Sequence, residues 1–492
     1  MAAKISLKTK FMKKIFFLLL LLATSPIYSQ YISPGNGSIY TIEDLVAISD
    51  GAVTLGADQY YFNEDITISL SDTLYLAVDG TYIEIGEGLL LTIEGVMIVE
   101  VENVFSITNK FGQGNFLGIR FDNSSASVLK NTGIANAGGV KLVESDMLIE
   151  NCSFSQFDQS YSTPALDLYH SNPIIRGCIF KWNDGPAIAS GANGASSPHI
   201  SNNLIEHNVE SNSNTPQINL GTSDGFSPIV VDSNTINGMY EMAGGIAVST
   251  LAGGNANAMI RYNEINDNRY GIAMIGSNIS GQISHNIIVG NNIQNDPMQG
   301  GSGINFYGGA TNQCIVSHNT IVDNLWGITI QLNASPNIGD GTDNSPGHNI
   351  FIDNQNSFQI YALYNNTPGD ISALNNFWGT VDLAEAEDFI FHKNDDLSLG
   401  EVFFDPMWIN PVGVEEDVSM EILNVPNPVS NFIQIKTAAE VMVEIYQLDG
   451  QKCWSGWVNT NQVIDVSQWV KACYILKVVS HNSIHTKKII VQ

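Results

Sequence analysis

The stretch SHNTIVDNLWGITIQ, residues 317–331, carries two side chains able to do chemistry, His318 and Asp323. Asp323 has a counterpart in Asp353, and each is followed by an asparagine. On neighbouring strands the two carboxylates would sit about 5 Å apart. Carboxylates that close share a proton or take a divalent cation such as calcium, and either state can serve glycoside chemistry. His318 belongs to a second register with His285 and His348. Imidazoles stacked in that way could hold a transition metal or support a sugar ring. A third register brings Arg176 beside Glu150 and Arg261 beside Asp232. Each arginine then has an acidic neighbour one unit away, which makes a surface ion pair rather than a free base. Lys181 stands alone, in a turn.

These registers exist because the chain repeats. Units begin NCSF (151), GCIF (177), NNLI (202), SNTI (233), YNEI (262), HNII (285), HNTI (318), HNIF (348) and NNFW (375). Their second position gives Cys152, Cys178, Asn203, Asn234, Asn263, Asn286, Asn319, Asn349 and Asn376. Two residues on lies an apolar column, from Phe154 and Phe180 through five isoleucines to Phe351 and Trp378. A second polar column follows at Asn183, Asn208, Asn268, Asn291, Asn324 and Asn354. Further strands appear as GIAM (271), GINF (303) and GITI (327), and as PIVV (228), GQIS (281) and QCIV (313).

Steps of 23 to 33 residues exclude helical repeats of fixed length, and the alternation of period two excludes helices directly. Three short strands per unit cannot bury a face alone, whereas stacked units bury a continuous column. Asparagine suits the corners because it tolerates left-handed backbone, and stacked side-chain amides can hydrogen-bond from unit to unit. An unmatched buried amide would cost about 1–3 kcal/mol. In this frame Asp323 and Asp353 occupy the residue before a corner asparagine, an ordinary turn choice. The histidine register also accepts Asn151, Ser233 and Tyr262. Recurrence thus explains both columns without catalysis.

From about Asn151 to Thr380 the sequence resembles the right-handed parallel β-helix repeat family, the pectate-lyase-like solenoids. NNFWGT (375–380) looks like that family's terminal motif, and residues 115–137 look like a more degenerate coil. The resemblance implies an outward-facing site when there is one. In polysaccharide lyases of this kind a basic residue abstracts a proton beside a calcium ion.

The two ends concern export. MKKIFFLLLLLATSPIYSQ, from Met12, has lysines, a short apolar run and a small residue before Gln30, the pattern of a secretory signal over 1–29. The apolar run is too short to span a bilayer, and no later stretch is long enough to do so. Cleavage there removes five lysines and no acids from a chain of formal net charge −29. Such a field opposes nucleic acid and keeps a large exported protein soluble. Five cysteines, an odd number with no two close in sequence, exclude a disulfide scaffold and a zinc pattern. Cys152 and Cys178 would be ladder neighbours with poor torsions for a bond.

After Pro411 the composition shifts. An acidic linker (412–422) precedes four strand-like pieces at 424–436, 441–456, 473–479 and 485–492. Pro426, Asn427, Pro428, the turn at Gly450, YILKV, and Lys487 and Lys488 before the final IIV resemble the C-terminal sorting domain of type IX secretion substrates. Ala472 and Cys473 stand where that family usually has glycine before tyrosine. The resemblance implies export across both membranes, docking on the secretion machinery, and frequent removal of the domain on attachment to the surface.

The expected architecture is all-β. An N-terminal cap with first rungs (30–90) leads into a right-handed parallel β-helix (91–411), and a small C-terminal β-sandwich (423–492) follows the linker. The expected function is a secreted, surface-displayed repeat protein that binds glycan or another surface ligand, without a resident cofactor. Loops 191–197, 208–216 and 292–302 are its expected contact regions. The alternative is a polysaccharide lyase or glycoside hydrolase, calcium-dependent where Asp323 and Asp353 hold the ion.

Overall fold

The computed structural model describes residues 30–192 and 194–409. In the C-terminal unit it describes 429, 431–435, 441–447, 452–458, 462–467, 469–479 and 484–491. The signal segment, the linker, Pro426, Asn427, Pro428 and Gly450 lie outside the described residues. The chain divides into two compact units, 1–411 and 412–492.

The larger unit is a right-handed parallel β-helix. Its described strands form three long sheets of fourteen (sheet 1), thirteen (sheet 2) and eleven strands (sheet 3), in which each strand pairs with its equivalent in the next coil. One coil shows the plan: Asn312–Ser317 in sheet 3, Thr320–Val322 in sheet 2 and Trp326–Leu332 in sheet 1. The sheet 2 register Phe154–Phe180–Ile205–Ile236–Ile265–Ile288–Ile321–Phe351 is the apolar column of the repeat. Every member is buried. Rings stack within it, Phe154 on Phe180 at 4.6 Å and Phe351 on Trp378 at 4.8 Å. At Gly327 a Cβ would lie 2.2 Å from the carbonyl oxygen of Ala362, which is why glycine follows Trp326 in the sheet 1 strand.

Both ends of the solenoid are covered, as open strand edges require. At the start, Gln30–Ile32 already pairs in parallel with the strand Asp65–Ile68. Helix α1, Ile42–Ile48, follows, opened by a capping box between Thr41 and Asp44. An antiparallel pair, Val53–Leu55 with Tyr60–Phe62, then ends sheet 2. Asp72, fully buried, holds the loop before α1 by accepting from Ser33 Oγ (2.5 Å) and from the N–H groups of Gly35 (2.8 Å), Gly37 (3.0 Å) and Ser38 (3.3 Å). At the other end lie helix α2, Leu383–Asp388, and the last strand of sheet 1, Ile390–Phe391. His392 is buried there, donating from Nε2 to Glu387 (2.9 Å) and accepting the Val402 N–H at Nδ1 (2.9 Å).

The smaller unit is a β-sandwich. Strands Lys452–Val458, Val441–Gln447, Cys473–Val479 and Ile484–Ile490 form one antiparallel sheet in that order. Phe432–Ile435 and Gln462–Asp465 form another. A single core that includes Val443, Ile445, Ile464, Tyr474 and Leu476 joins them. The departure at Ala472 and Cys473 does not prevent the strand that begins at Cys473. Lys487 and Lys488 lie on the last strand, in register with Leu476 and Ile475.

Candidate functional site

The corner between sheets 3 and 2 is a two-residue turn whose second member carries the ladder. The amide of Asn203 donates to Asn234 Oδ1 at 2.9 Å, and the same bond recurs at 2.9 Å through Asn263, Asn286, Asn319, Asn349 and Asn376. Each Oδ1 also accepts the backbone N–H of the preceding rung, at 2.9–3.0 Å. Cys178 and Cys152 extend the ladder as free thiols, with the Cys152 N–H donating to Cys178 Sγ at 3.4 Å. Cys314 is buried in sheet 3, and burial pushes its thiol up to about 12.

One expectation fails at this corner. Left-handed backbone belongs to the residue before each ladder asparagine, not to the asparagine. Asn151, Asn202, Ser233, Tyr262, His285, His318, His348 and Asn375 have φ between 54° and 59°. The ladder asparagine must keep its N–H and side chain aimed along the stack, so the bend falls on the outward residue before it. The same holds at the next corner, where Asp267, Asp323 and Asp353 have φ of 53°, 55° and 53° and Gly290 has 62°. Asp323 and Asp353 are neighbours, because Val322 pairs with Ile352, and both are exposed. Among the described residues no group of three or more His, Cys, Asp or Glu side chains is placed to hold a metal.

The second ladder runs Asn183–Asn208, then Asn268–Asn291–Asn324–Asn354. The repeat leaves it broken at Met239, which stands in register with Asn268 and is exposed. Gln217, from a sheet 1 strand, fills the gap. It accepts from Asn208 at 3.0 Å and donates to Asn268 at 3.0 Å. Arg176 pairs with Glu150 at 2.7 Å and Arg261 with Asp232 at 3.0 Å. Lys181 lies in register with Glu206. These columns form the structural side of the molecule.

The concave feature lies elsewhere, on the outer face of sheet 1. Outward residues Asn219, Ala247, Ala273, Asn305, Thr329 and Tyr364 are consecutive partners across six strands. Five steps of strand spacing make that row about 24 Å long. The two alanines lower the floor, and turns between sheets 2 and 1 raise a wall over it, enclosing a cavity of about 580 Å³. Loops 208–216 and 292–302 meet in this wall through Arg269. Its guanidinium donates to Asn214 Oδ1, to Gln294 Oε1 at 2.6 Å and to the Gln299 carbonyl at 2.7 Å. Arg269 is 6% exposed, and it forms no ion pair among the described residues. The described residues of loop 191–197 do not line the cavity. Its Ser196 Oγ instead accepts the Ser171 N–H at 3.1 Å, continuing a serine ladder through Ser171, Ser145 and Ser124.

One end of the groove is aromatic. Trp326 lies 4.7 Å from Tyr361 and 4.9 Å from Tyr364, and its Nε1–H donates to the Pro297 carbonyl at 3.0 Å. Burial raises the Tyr364 phenol above its ordinary pKa, so it remains a neutral donor. The floor beside it is a polar chain, in which Ser302 Oγ lies 2.9 Å from Thr329 Oγ1, and Thr329 donates to Asn305 at 2.9 Å. Asp and Glu are absent from the described lining residues, and Asp323 and Asp353 lie outside the cavity. None of Arg269, Trp326, Tyr361 and Tyr364 stood out in the sequence. A signal was present, since Tyr270 and Trp326 each precede a glycine of the GI strand motif.

Three family models match the chain: "Right handed beta helix region" over 79–226, "Protein of unknown function (DUF1565)" over 229–382 and "Secretion system C-terminal sorting domain" over 425–492. With the three parallel sheets, these make the chain a right-handed parallel β-helix protein. More particularly, it is one that carries a type IX secretion sorting domain, and so a secreted or outer-membrane-surface protein. No helix among the described residues is long and apolar enough to cross a membrane. Among solved structures, a mutant of the periplasmic alginate epimerase AlgG is similar at 12% identity, over 75% of this chain and 81% of that one, with a TM-score of 0.38. No curated protein sequence matches the chain.

Proposed function

We propose that the groove on sheet 1 binds a glycan chain at the cell surface, with the C-terminal domain supplying export. The observation that carries this reading is the aromatic end of a polar trough about 24 Å long, where Trp326 and Tyr364 line the cavity beside Asn305, Thr329 and Gln331, with Tyr361 4.7 Å from Trp326. Flat rings that cover apolar sugar faces, beside amides and hydroxyls that bond sugar hydroxyls, are the usual mixture of a polar-ligand site. Two-carboxylate hydrolysis would need a pair of acids across the scissile bond. The described lining residues offer no such pair, which favours the binding reading for this groove.

The test is calorimetric titration of the mature chain with a panel of soluble neutral and acidic polysaccharides. A binder should emerge whose affinity falls at least about tenfold in Trp326→Ala and in Tyr364→Ala, with melting temperatures close to the parent. Binding indifferent to both substitutions, or no binder in the panel, overturns the reading.

A further inference from the structure

The outward corner between sheets 3 and 2 carries a row of rings on consecutive coils, away from the groove. Tyr262 stacks on His285 at 4.8 Å, His285 on His318 at 4.6 Å with planes 6° apart, His348 meets His318 edge-on at 5.2 Å, and Trp408 closes the row at 4.8 Å. Stacking covers both faces of His285 and one face each of Tyr262 and His318. What the row offers outward is ring edges, and on the histidines those edges carry nitrogen.

Two of these nitrogens converge. His318 Nε2 and His348 Nδ1 are 3.4 Å apart. Two ligands at about 2.0–2.1 Å from a tetrahedral zinc ion are themselves separated by about 3.4 Å. We propose that His318 and His348 chelate one divalent transition-metal ion of the zinc, copper or nickel class through these two atoms, with water completing the coordination.

Two features support the site. The left-handed corner fixes both backbones, at φ 59° and 58°, and the adjacent ladder bond from Asn319 to Asn349 fixes their separation. The nitrogen His318 presents is Nε2, which faces His348 Nδ1, while its own Nδ1 is buried without a hydrogen-bond partner. That last feature also limits affinity. Metal on Nε2 puts the ring proton on Nδ1, where no acceptor fixes it, and ligating histidines usually have such an acceptor.

The experiment is a titration of untagged, EDTA-treated mature chain with zinc chloride at pH 7.5, followed by calorimetry. One saturable equivalent is expected. His318→Gln and His348→Gln should each weaken it by at least the roughly 10–100-fold that loss of an outer-shell partner costs. His285→Gln, which alters the stack and leaves both ligand atoms, should bind like the parent. Glutamine fits a position that elsewhere accepts asparagine, serine and tyrosine. As a measurement independent of any variant, one equivalent of copper(II) should show hyperfine coupling to two nitrogens in its spin-resonance spectrum. Zinc binding unchanged in both ligand variants, no binding in the parent, or a copper signal without two nitrogens would each overturn the assignment.

Discussion

Replacing Asn319 by alanine removes one amide from the middle of the ladder, and its bonds set the cost. Its Nδ2 donates to the Ile283 carbonyl (2.9 Å), the Ser317 carbonyl (3.1 Å) and Asn349 Oδ1 (2.9 Å). Its Oδ1 accepts from the Asn286 backbone N–H (3.0 Å) and from Asn286 Nδ2 (2.9 Å). After truncation the Asn286 amide keeps the Ile260 carbonyl, and Asn349 Oδ1 keeps the backbone N–H of residue 319. The Asn286 N–H keeps nothing and becomes a buried orphan, at about 1–3 kcal/mol. With the small cavity adding about 1 kcal/mol, the expected loss is about 2–4 kcal/mol. Asn319→Asp should cost more, because a carboxylate cannot donate to Ile283 or Asn349. Asn319→Cys should cost less than alanine, since Cys178 Sγ already serves as an acceptor in this ladder. Urea unfolding followed by circular dichroism measures the loss. Hydrogen exchange should place it in Ile287–Val289 and Thr320–Val322, because each coil contacts only its neighbours. A loss below about 0.5 kcal/mol, the range of an exposed control such as Asn366→Ala, would refute the reasoning.

Two further outcomes follow from the corners and the cap. Asp323 adopts φ 55°, so Asp323→Val should lose about 1–2 kcal/mol while Asp323→Gly stays near neutral, as read by denaturant midpoint; equal losses would count against a conformational role. Asp72 is penalised by burial, yet the Ser33 hydroxyl and three backbone N–H groups outweigh that and leave its pKa below the ordinary value. A depressed carboxylate stabilises above its unfolded pKa of about 3.9 and loses that contribution as pH falls through the folded value. Exchange protection of residues 30–38 should therefore hold at neutral pH and fall below about pH 4, and Asp72→Ala should remove it at pH 7. Protection unchanged in the variant would contradict this.

Much of the solenoid was legible because its inner positions repeat in residue type: asparagine at the corner, a large apolar residue two places on. The first rungs were harder to read, since Gln30–Ile32 and Asp65–Ile68 carry neither marker. Gln217 escaped because it reaches the ladder from a different strand, so no column contains it. The left-handed residue was misplaced by one because either member of a short turn can bend the chain, and only the ladder's bonds select which. The groove was hardest to see. Its floor row of Asn219, Ala247, Ala273, Asn305, Thr329 and Tyr364 mixes four residue types, being outward and free of the packing that makes inner columns uniform.

The same contrast indicates where each kind of ligand can be accommodated. From Asn151 on, the connection between sheets 3 and 2 keeps two residues, as in Tyr262–Asn263 and His318–Asn319, so unequal steps are not absorbed there. Over the same coils the connection between sheets 2 and 1 ranges from three residues after Val322 to twelve after Val289. Longer loops cost little closure entropy, so insertions gather at that corner and become walls. A fixed two-residue corner builds no wall, but it holds successive side chains at strand spacing, which suits a small ion held by two atoms. A variable corner next to a flat sheet builds a trough several coils long, which suits a polymer. Loss of the groove by shortening 292–302 should therefore leave the corner histidines in place, since the Asn286–Asn319–Asn349 bonds that position them do not involve that loop.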